Sequence, residues 1–289
     1  MARRRIADAS MSRLAVWSRR CAFFSLAATV IAIVIVRSGF LEIVPALATF
    51  AGALVFAGFS IMLAFGAFVV IWKDGAGGLG HAVMALGIGV ALLAYPAYLG
   101  AKAYRLPMIN DITTDPIDPP RFDVVAQLRP PGSAAYAGLY AAEQQREAYP
   151  DVEPLDLSSN AQAAYDAALQ VITKRKWRIM AERPPQAGRR DGQIVAIART
   201  PIMGFREDVS LRIRTTRDGA RIDVRSASRL SRHDLGSNAS RIKSLLDDID
   251  DVVTSKQEKD ERAEKRKAQQ QKQKPAPAKG GPQSKKPSS

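Results

Sequence analysis

The sequence has very little cysteine and histidine, which are the usual metal ligands and the usual partners in nucleophilic catalysis. Cys21 is the only cysteine, and this excludes an internal disulfide and a cysteine-based metal cage. Of the two histidines, only His233 lies in the part that we predict to be soluble. The chain has no HExxH motif and no GxSxG motif. We therefore expect no cofactor and no metal, and the composition disfavours an enzyme.

The middle of the chain carries almost no net positive charge. The formal net charge is +14 at pH 7, but six arginines precede Cys21 and eleven lysines and arginines follow Thr254. The residues between these two ends are nearly neutral. Nucleic-acid binding requires a basic patch on the folded part, so nucleic acid is not expected as a partner of the folded domain.

Three stretches are long, strongly apolar and without charge, namely residues 21–36, 44–72 and 82–99. A helix of about 20 apolar residues crosses a bilayer, and the arginines before the first stretch can extend it by reaching to the interface. Transporters and proton pumps usually place ionisable residues inside the bilayer, and these stretches have none. We therefore predict three transmembrane helices that serve as an anchor.

The distribution of arginine predicts how the chain is inserted. Six arginines precede the first apolar stretch, whereas Arg37 and Lys73 are the only basic residues in the two connections. The positive-inside rule places the N-terminus in the cytoplasm. Three crossings then make the protein a multi-pass protein of the bacterial cytoplasmic (inner) membrane with a periplasmic C-terminal domain. The predicted segments are a basic N-terminus (1–20), an anchor (21–101), a proline-rich extended segment (102–154), a soluble domain (155–253) and a disordered basic tail (254–289).

The soluble part combines helical and strand patterns. An apolar stripe over residues 161–172 predicts a helix, and Trp177 after it is expected to open a strand and to be buried against that helix. Further strands are predicted at 193–199, 208–216 and 220–228, followed by a helix whose apolar face ends at Val253. This order predicts an α+β fold, in which a small antiparallel sheet is covered on one face by two helices.

The last two strands suggest a binding site. If Asp218 and Gly219 form a two-residue turn, Arg214 faces Asp223, and Arg212 faces Arg225. Like charges in that position would leave an under-compensated positive spot for a phosphate or carboxylate, helped by free N–H groups at the helix start after Gly236. Alternatively, the two guanidinium groups extend into water, or Asp223 pairs diagonally with both of them. The candidate anion-binding residues are Arg206, Arg212, Arg225, His233, Asp234, Asn238 and Arg241.

The proline-rich segment contains a group of three acidic residues. Asp111, Asp115 and Asp118 lie among asparagine and threonine, and clusters rich in oxygen can bind calcium. The spacing lacks the alternation and the closing glutamate of an EF-hand loop. Formation of turns and caps is the alternative role for these carboxylates.

Several motifs in the second half of the chain occur in a characteristic order. They are Ile109-Asn110-Asp111-Ile112-Thr113-Thr114-Asp115-Pro116, the Trp177 strand, residues 200–209, residues 223–228, Asp234-Leu235-Gly236-Ser237-Asn238 and Arg241-Ile242. Together they resemble the bacterial and plastid family called domain of unknown function 1499, over about residues 107–252. The resemblance implies a membrane-anchored protein of a family without an established activity.

Two functions remain open from the sequence. The first is a non-catalytic envelope protein whose periplasmic domain binds a partner protein or an anionic component such as a lipid headgroup or a glycan. The second is a hydrolase or transferase at the membrane face that uses Asp234, His233 and nearby arginines. A pocket in which these side chains converge would favour the second function.

The predicted topology can be tested directly with a fusion protein. A reporter fused after Ser255 should be active only when it is exported, because three crossings follow a cytoplasmic N-terminus. Alkaline phosphatase activity of the fusion, compared with green fluorescence of a matching fusion, measures this. Fluorescence from the fusion in the cytoplasm would overturn the predicted orientation.

Overall fold

The computed structural model describes residues 10–39, 43–129, 135–186 and 191–272. Its first half contains three long helices, α1 (Arg13–Ser38), α2 (Ile43–Asp74) and α3 (Leu79–Arg105). Each of the three is long and apolar enough to cross a membrane, and this confirms the predicted number of apolar helices. All three extend beyond the uncharged stretches, because polar residues continue the helices past the apolar part at one or both ends.

Small side chains line the contacts between the three helices. The buried residues at these contacts are mostly alanine, and Gly89 of α3 lies where a side chain would collide with Ile61 of α2. The hydroxyl of Ser25 donates a hydrogen bond to the carbonyl of Ala53 across the α1–α2 contact, over 2.7 Å. Small residues allow helix backbones to approach closely in a bilayer, where apolar burial drives association little.

The second half folds into one antiparallel sheet with helices packed on it, which confirms the predicted α+β class. The strands are β1 (Asp111–Thr113), β2 (Leu155–Leu157), β3 (Arg178–Arg183), β4 (Gly192–Arg199), β5 (Arg206–Thr215) and β6 (Ala220–Ser228). The order across the sheet is β1-β6-β5-β4-β3, and β2 also pairs with β6, beside β1. The remaining helices are α4 (Leu139–Ala148), α5 (Ala161–Lys174) and α6 (Ser237–Lys272), with a 3-10 turn at Ala126–Leu128.

Helices α5 and α6 cover one face of the sheet and form the main core with it. Ile172 of α5 and Ile242 and Ile249 of α6 are fully buried against Leu211 and Val224 of the two central strands. The helical period of 3.6 and the strand period of 2 both place apolar residues on this shared face. This part of the predicted architecture is therefore confirmed.

The opposite face of the sheet is covered by the segment that precedes α4. Phe122 and Val125 are buried against Val195 and Ala227. The segment was predicted to be extended and proline-rich apart from a helix at 134–148, and α4 confirms that helix from Leu139 to Ala148. The segment also contributes β1 to the sheet edge, which was not predicted. The side-chain amide of Gln145 in α4 accepts a hydrogen bond from the Thr113 N–H at 3.0 Å and donates one to the Thr113 carbonyl at 2.7 Å. Helix α4 thereby covers the edge strand. A strand of three residues such as β1 is too short to show the alternation of apolar and polar side chains from which strands are predicted.

The predicted register of the β5–β6 hairpin is wrong by two residues. Thr215 pairs with Ala220, so residues 216–219 form a four-residue connection that is closed by a hydrogen bond from the Thr216 N–H to the Gly219 carbonyl. Arg212 therefore faces Asp223 and not Arg225, and the like-charge pair in this register is Arg214 with Arg221, both of which contact Asp223. A shift of two residues keeps every side chain on its predicted face of the sheet.

Helix α6 continues well beyond the end of its apolar stripe. The tail was predicted to be disordered from residue 254, but the described part of it is helical as far as Lys272. Ion pairs four residues apart, Glu258 with Arg262 and Glu261 with Lys265, support the helix where no core contact does. Residues 273–289 lie outside the described part of the chain.

Gly219 should be required for the hairpin. It has a φ of +152°, and a Cβ there would lie 2.0 Å from the Leu157 carbonyl oxygen of β2. Gly219→Ala should lower the free energy of unfolding by more than about 1 kcal/mol, because either β2 or the turn must move. Thermal unfolding of the solubilised chain, followed by near-UV circular dichroism, measures this. Asp218→Ala in the same turn is the control, and equal stability of both variants would contradict the argument.

Candidate functional site

A groove lies between the C-terminal part of α3 and the end of the sheet that faces it. Its volume is about 590 Å³, which is within the range of small-molecule sites. Helix α3 forms one side, the connection between β4 and β5 forms a second, and the connection from β6 into α6 forms the third. The lining includes Tyr95, Tyr98, Leu99, Lys102, Trp177, Arg199, Ile202, Phe205, Arg206, Leu230, His233, Asp234 and Arg241.

The β4–β5 connection is attached to the end of α1. The guanidinium group of Arg37 donates to the carbonyl groups of Pro201 and Ile202, at 2.5 and 2.9 Å. Gly204 has a φ of +70° and lies against the Arg37 side chain, where a Cβ would approach it to 3.2 Å. Arg199 in turn donates to the carbonyl of Arg37. This side of the groove is thus held directly by the C-terminal end of α1.

The β6–α6 connection is attached to α3 through His233. The Nε2 atom of His233 is 3.2 Å from the carbonyl of Ala103, and the Nδ1 atom accepts the N–H of Leu235 at 3.0 Å. An accepting Nδ1 requires the tautomer with hydrogen on Nε2, which then donates to Ala103. Both ring nitrogens therefore hold the loop in place, and Gly236 packs beside Leu106 of the same helix region.

Asp234 fills the helix start that was expected to bind an external anion. Its carboxylate accepts the N–H groups of Gly236 and Asn238, at 2.9 and 3.0 Å. Its backbone carbonyl accepts the N–H of Ser237. The prediction of free N–H groups there is wrong, because this side chain acts as an internal cap. Burial raises the pKa of Asp234 above its usual range, although the two backbone hydrogen bonds oppose the shift.

A buried polar network lies behind the groove. Arg241 pairs with Glu207 and also donates to the side chains of Asn238 and Ser226, at 2.9 and 3.1 Å. Glu207 in addition accepts the hydroxyl of Ser228 at 2.9 Å. These groups satisfy one another, so Asn238 and Arg241 are supports of the groove and are not free to bind a ligand by themselves.

Three cationic side chains on the groove have no carboxylate partner among the described residues. They are Lys102 at the end of α3, Arg199 at the end of β4 and Arg206 at the start of β5. Lys102 lies over the ring of Tyr98 at 5.7 Å, and Arg206 is exposed. The basic side chains make the groove suitable for an anion.

Trp177 is half-buried and not fully buried as predicted. It packs partly against the core and also lines the groove, and the guanidinium carbon of Arg175 lies 5.4 Å from its ring centroid. The sequence pattern predicted that this ring packs against the helix before it, but part of the ring is left uncovered at the groove. Trp177 thus adds an apolar surface to the candidate site.

Arg212 and Arg225 lie on the opposite face of the sheet, away from the groove. Arg212 pairs with Asp115, Asp118 and Asp223, at 3.0, 2.6 and 3.3 Å. Arg225 binds both carboxylate oxygens of Asp111, at 3.0 and 2.6 Å, and it stacks on Phe122. The predicted under-compensated positive spot is therefore wrong, since the covering segment brings carboxylates to both arginines.

The three aspartates that were considered for calcium are used in these ion pairs. Among the described residues, no group of three or more His, Cys, Asp or Glu side chains is arranged to hold a metal. Asp115 also accepts the N–H groups of Ile117 and Asp118, at 3.2 and 3.1 Å, so it forms the turn that was named as the alternative. The oxygen-rich cluster thus fastens the covering segment to the sheet.

The groove brings together Arg206, His233, Asp234 and Arg241 from the predicted set, with Asn238 behind them. Lys102 and Arg199 were missed. Lys102 follows the tyrosines at the end of an apolar stretch, and this could have marked it as an interfacial cation. Arg199 carries no comparable signal, because its position depends on how the loop contacts α1.

The ion pairs of Asp115 should make stability depend on pH. Burial acts to raise its pKa, but the Asp118 N–H and the charges of Arg212 and Arg214 outweigh burial, and the pKa lies below its usual value of 3.8. Because the folded pKa is the lower one, this stabilisation is present above about pH 3.8 and is lost as the pH falls through the folded pKa.

Asp115→Asn should therefore lower the free energy of unfolding by about 1 kcal/mol at pH 7, where it removes one of the carboxylates that Arg212 and Arg214 share, and by less near pH 3. Thermal unfolding of the solubilised chain across this range measures the difference. Asp123→Asn, in the same segment but exposed, is the control. A pH-independent difference between the two variants would contradict the linkage.

Comparison with known proteins finds one family model that matches the C-terminal domain. No match was found among the curated proteins, and no solved structure matches the chain. Residues 111–249 match the family model that is described as "Protein of unknown function (DUF1499)". The matched range begins at β1 and ends within α6, so it includes the covering segment as well as the sheet and its helices. The resemblance seen in the sequence is thereby confirmed, and the C-terminal domain carries the pattern of the DUF1499 family.

Proposed function

We propose that this protein is a non-catalytic protein of the bacterial inner membrane whose periplasmic domain binds an anionic component of the envelope. The observation that carries the proposal is the groove beside α3, on which Lys102, Arg199 and Arg206 have no carboxylate partner among the described residues. Unpaired cations next to an apolar surface are suited to an anion that also has an apolar part.

The proposed orientation is supported by the way in which the helices meet the domain. Arg37 at the end of α1 and Lys102 at the end of α3 both lie next to the domain, so the two helices run in the same direction. The arginines before α1 favour a cytoplasmic start of that helix. The domain lies at the C-terminal ends of both helices, and we therefore place it in the periplasm.

The contacts of His233 and Asp234 support binding over catalysis. A general base needs a free lone pair, but Nδ1 of His233 accepts the Leu235 N–H, and Nε2 faces the Ala103 carbonyl. The carboxylate of Asp234 accepts two backbone N–H groups as a cap. The alternative hydrolase or transferase would have to use these same two residues. A partner protein is less well matched than an anion, because the cations lie inside a groove.

Anion binding can be tested with inorganic phosphate on the full chain in neutral detergent. Phosphate should raise the unfolding temperature by a few degrees relative to chloride at matched ionic strength, since a ligand that binds only the folded state stabilises it. Arg206→Gln should remove most of this increase. Arg217→Gln, which changes an exposed arginine in the distal hairpin turn, should keep it. Equal increases in both variants would rule out Arg206 as part of an anion site.

A further inference from the structure

The part of α3 that lines the groove carries two exposed tyrosines. Tyr95 and Tyr98 of α3 line the groove and yet remain 46% and 57% exposed. Tyrosine is enriched where hydrocarbon meets the headgroup region, and α3 is about 40 Å long, compared with about 30 Å of hydrocarbon. The end of α3 therefore carries one side of the groove from the hydrocarbon into the headgroup region.

The soluble domain presents apolar side chains to the same region. Ile202 on the β4–β5 connection and Leu230 on the β6–α6 connection line the groove and are 37% and 46% exposed. Leu99 of α3 lines the same groove, so all three of its sides contribute apolar side chains. A small soluble anion would leave this apolar surface uncovered, whereas a hydrocarbon chain would bury it.

Three cations line the same groove as these apolar side chains. Lys102 follows Leu99 by about one helical turn, and Arg206 and Arg199 are at the neighbouring ends of two paired strands. The register pairs Arg199 directly with Arg206. Two like charges side by side on a sheet are unfavourable unless an anion lies between them, and the described residues supply no carboxylate there.

We infer that the groove binds a membrane phospholipid, with an acyl chain along α3 against Leu99, Ile202 and Leu230, and with its phosphate near Arg199, Arg206 and Lys102. This inference rests on the proposed function and names the ligand class. Of the anionic components of an envelope, an anionic phospholipid carries both the charge and the hydrocarbon that the two parts of the groove require. Its acyl chain can enter from the bilayer without crossing water.

Quenching of Trp177 by lipid provides the test. The chain has three tryptophans, and Trp17 and Trp72 are exposed on the membrane helices, so Trp17→Phe and Trp72→Phe leave Trp177 as the single reporter. The full chain is reconstituted in phosphatidylcholine vesicles that contain a small fraction of phosphatidylglycerol with brominated acyl chains. Quenching should saturate at low fractions, and unbrominated phosphatidylglycerol should reverse it. Brominated phosphatidylcholine at the same fraction should quench far less.

Two pairs of variants separate the parts of the groove. Arg206→Gln should raise the lipid fraction for half-maximal quenching about tenfold, as expected for the loss of one charge-assisted hydrogen bond, and Arg217→Gln should leave it unchanged. Leu230→Gln should weaken quenching, and Leu139→Gln, at an exposed position on α4, should not. Quenching that rises linearly with lipid fraction and is equal for both headgroups would overturn the inference.

The lipid inference and the proposed function fail in different ways. If phosphate stabilises the chain through Arg206 while brominated phosphatidylglycerol leaves Trp177 unquenched, the groove binds a soluble anion and the lipid inference is wrong. If Arg206→Gln changes neither the stabilisation by phosphate nor the quenching by brominated phosphatidylglycerol, the proposed anion-binding function is wrong as well.

Discussion

The groove depends on hydrogen bonds from two side chains to backbone carbonyl groups across the junction of the membrane helices and the domain. Arg37 donates to the loop after β4, and His233 donates to α3. These contacts join the end of each helix to one side of the groove. Because Ile202 and Leu230 lie on these loops, while Lys102 lies on α3 and Arg199 and Arg206 lie at strand ends, the junction sets the distances between the apolar and the cationic side chains of the groove.

The other face of the sheet buries several charged side chains. Asp208, Asp223 and Arg225 are almost fully buried, and such groups are very unfavourable without partners. Arg129 and Arg229 pair with Asp208, and Asp111 pairs with Arg225. The partners come from the covering segment and the strand ends, so the segment can dock in only one position without leaving a charge unpaired. A purely apolar contact would specify this position less sharply.

Periodicity and turn residues predicted the fold well but not the pairing between distant segments. The three apolar helices, β4 to β6 and the side of the sheet that α5 and α6 cover follow from patterns within each segment. The register was mispredicted because Asp218-Gly219 favours a short turn locally, whereas the pairing of β2 with β6 selects the longer connection. The ion pairs of Arg212 and Arg225 join residues about 100 positions apart, and no local pattern reports them.

Helix α6 begins beside Leu106 at the junction and reaches the distal end of the sheet, where Gln257 contacts Ser158. Its 36 residues span about 54 Å, so some 15 of them extend about 22 Å past the domain. The helix therefore contacts the groove at its N-terminal end and extends past the domain at its C-terminal end. A force on its basic far end is transmitted along one continuous hydrogen-bonded element to Gly236, at the side of the groove.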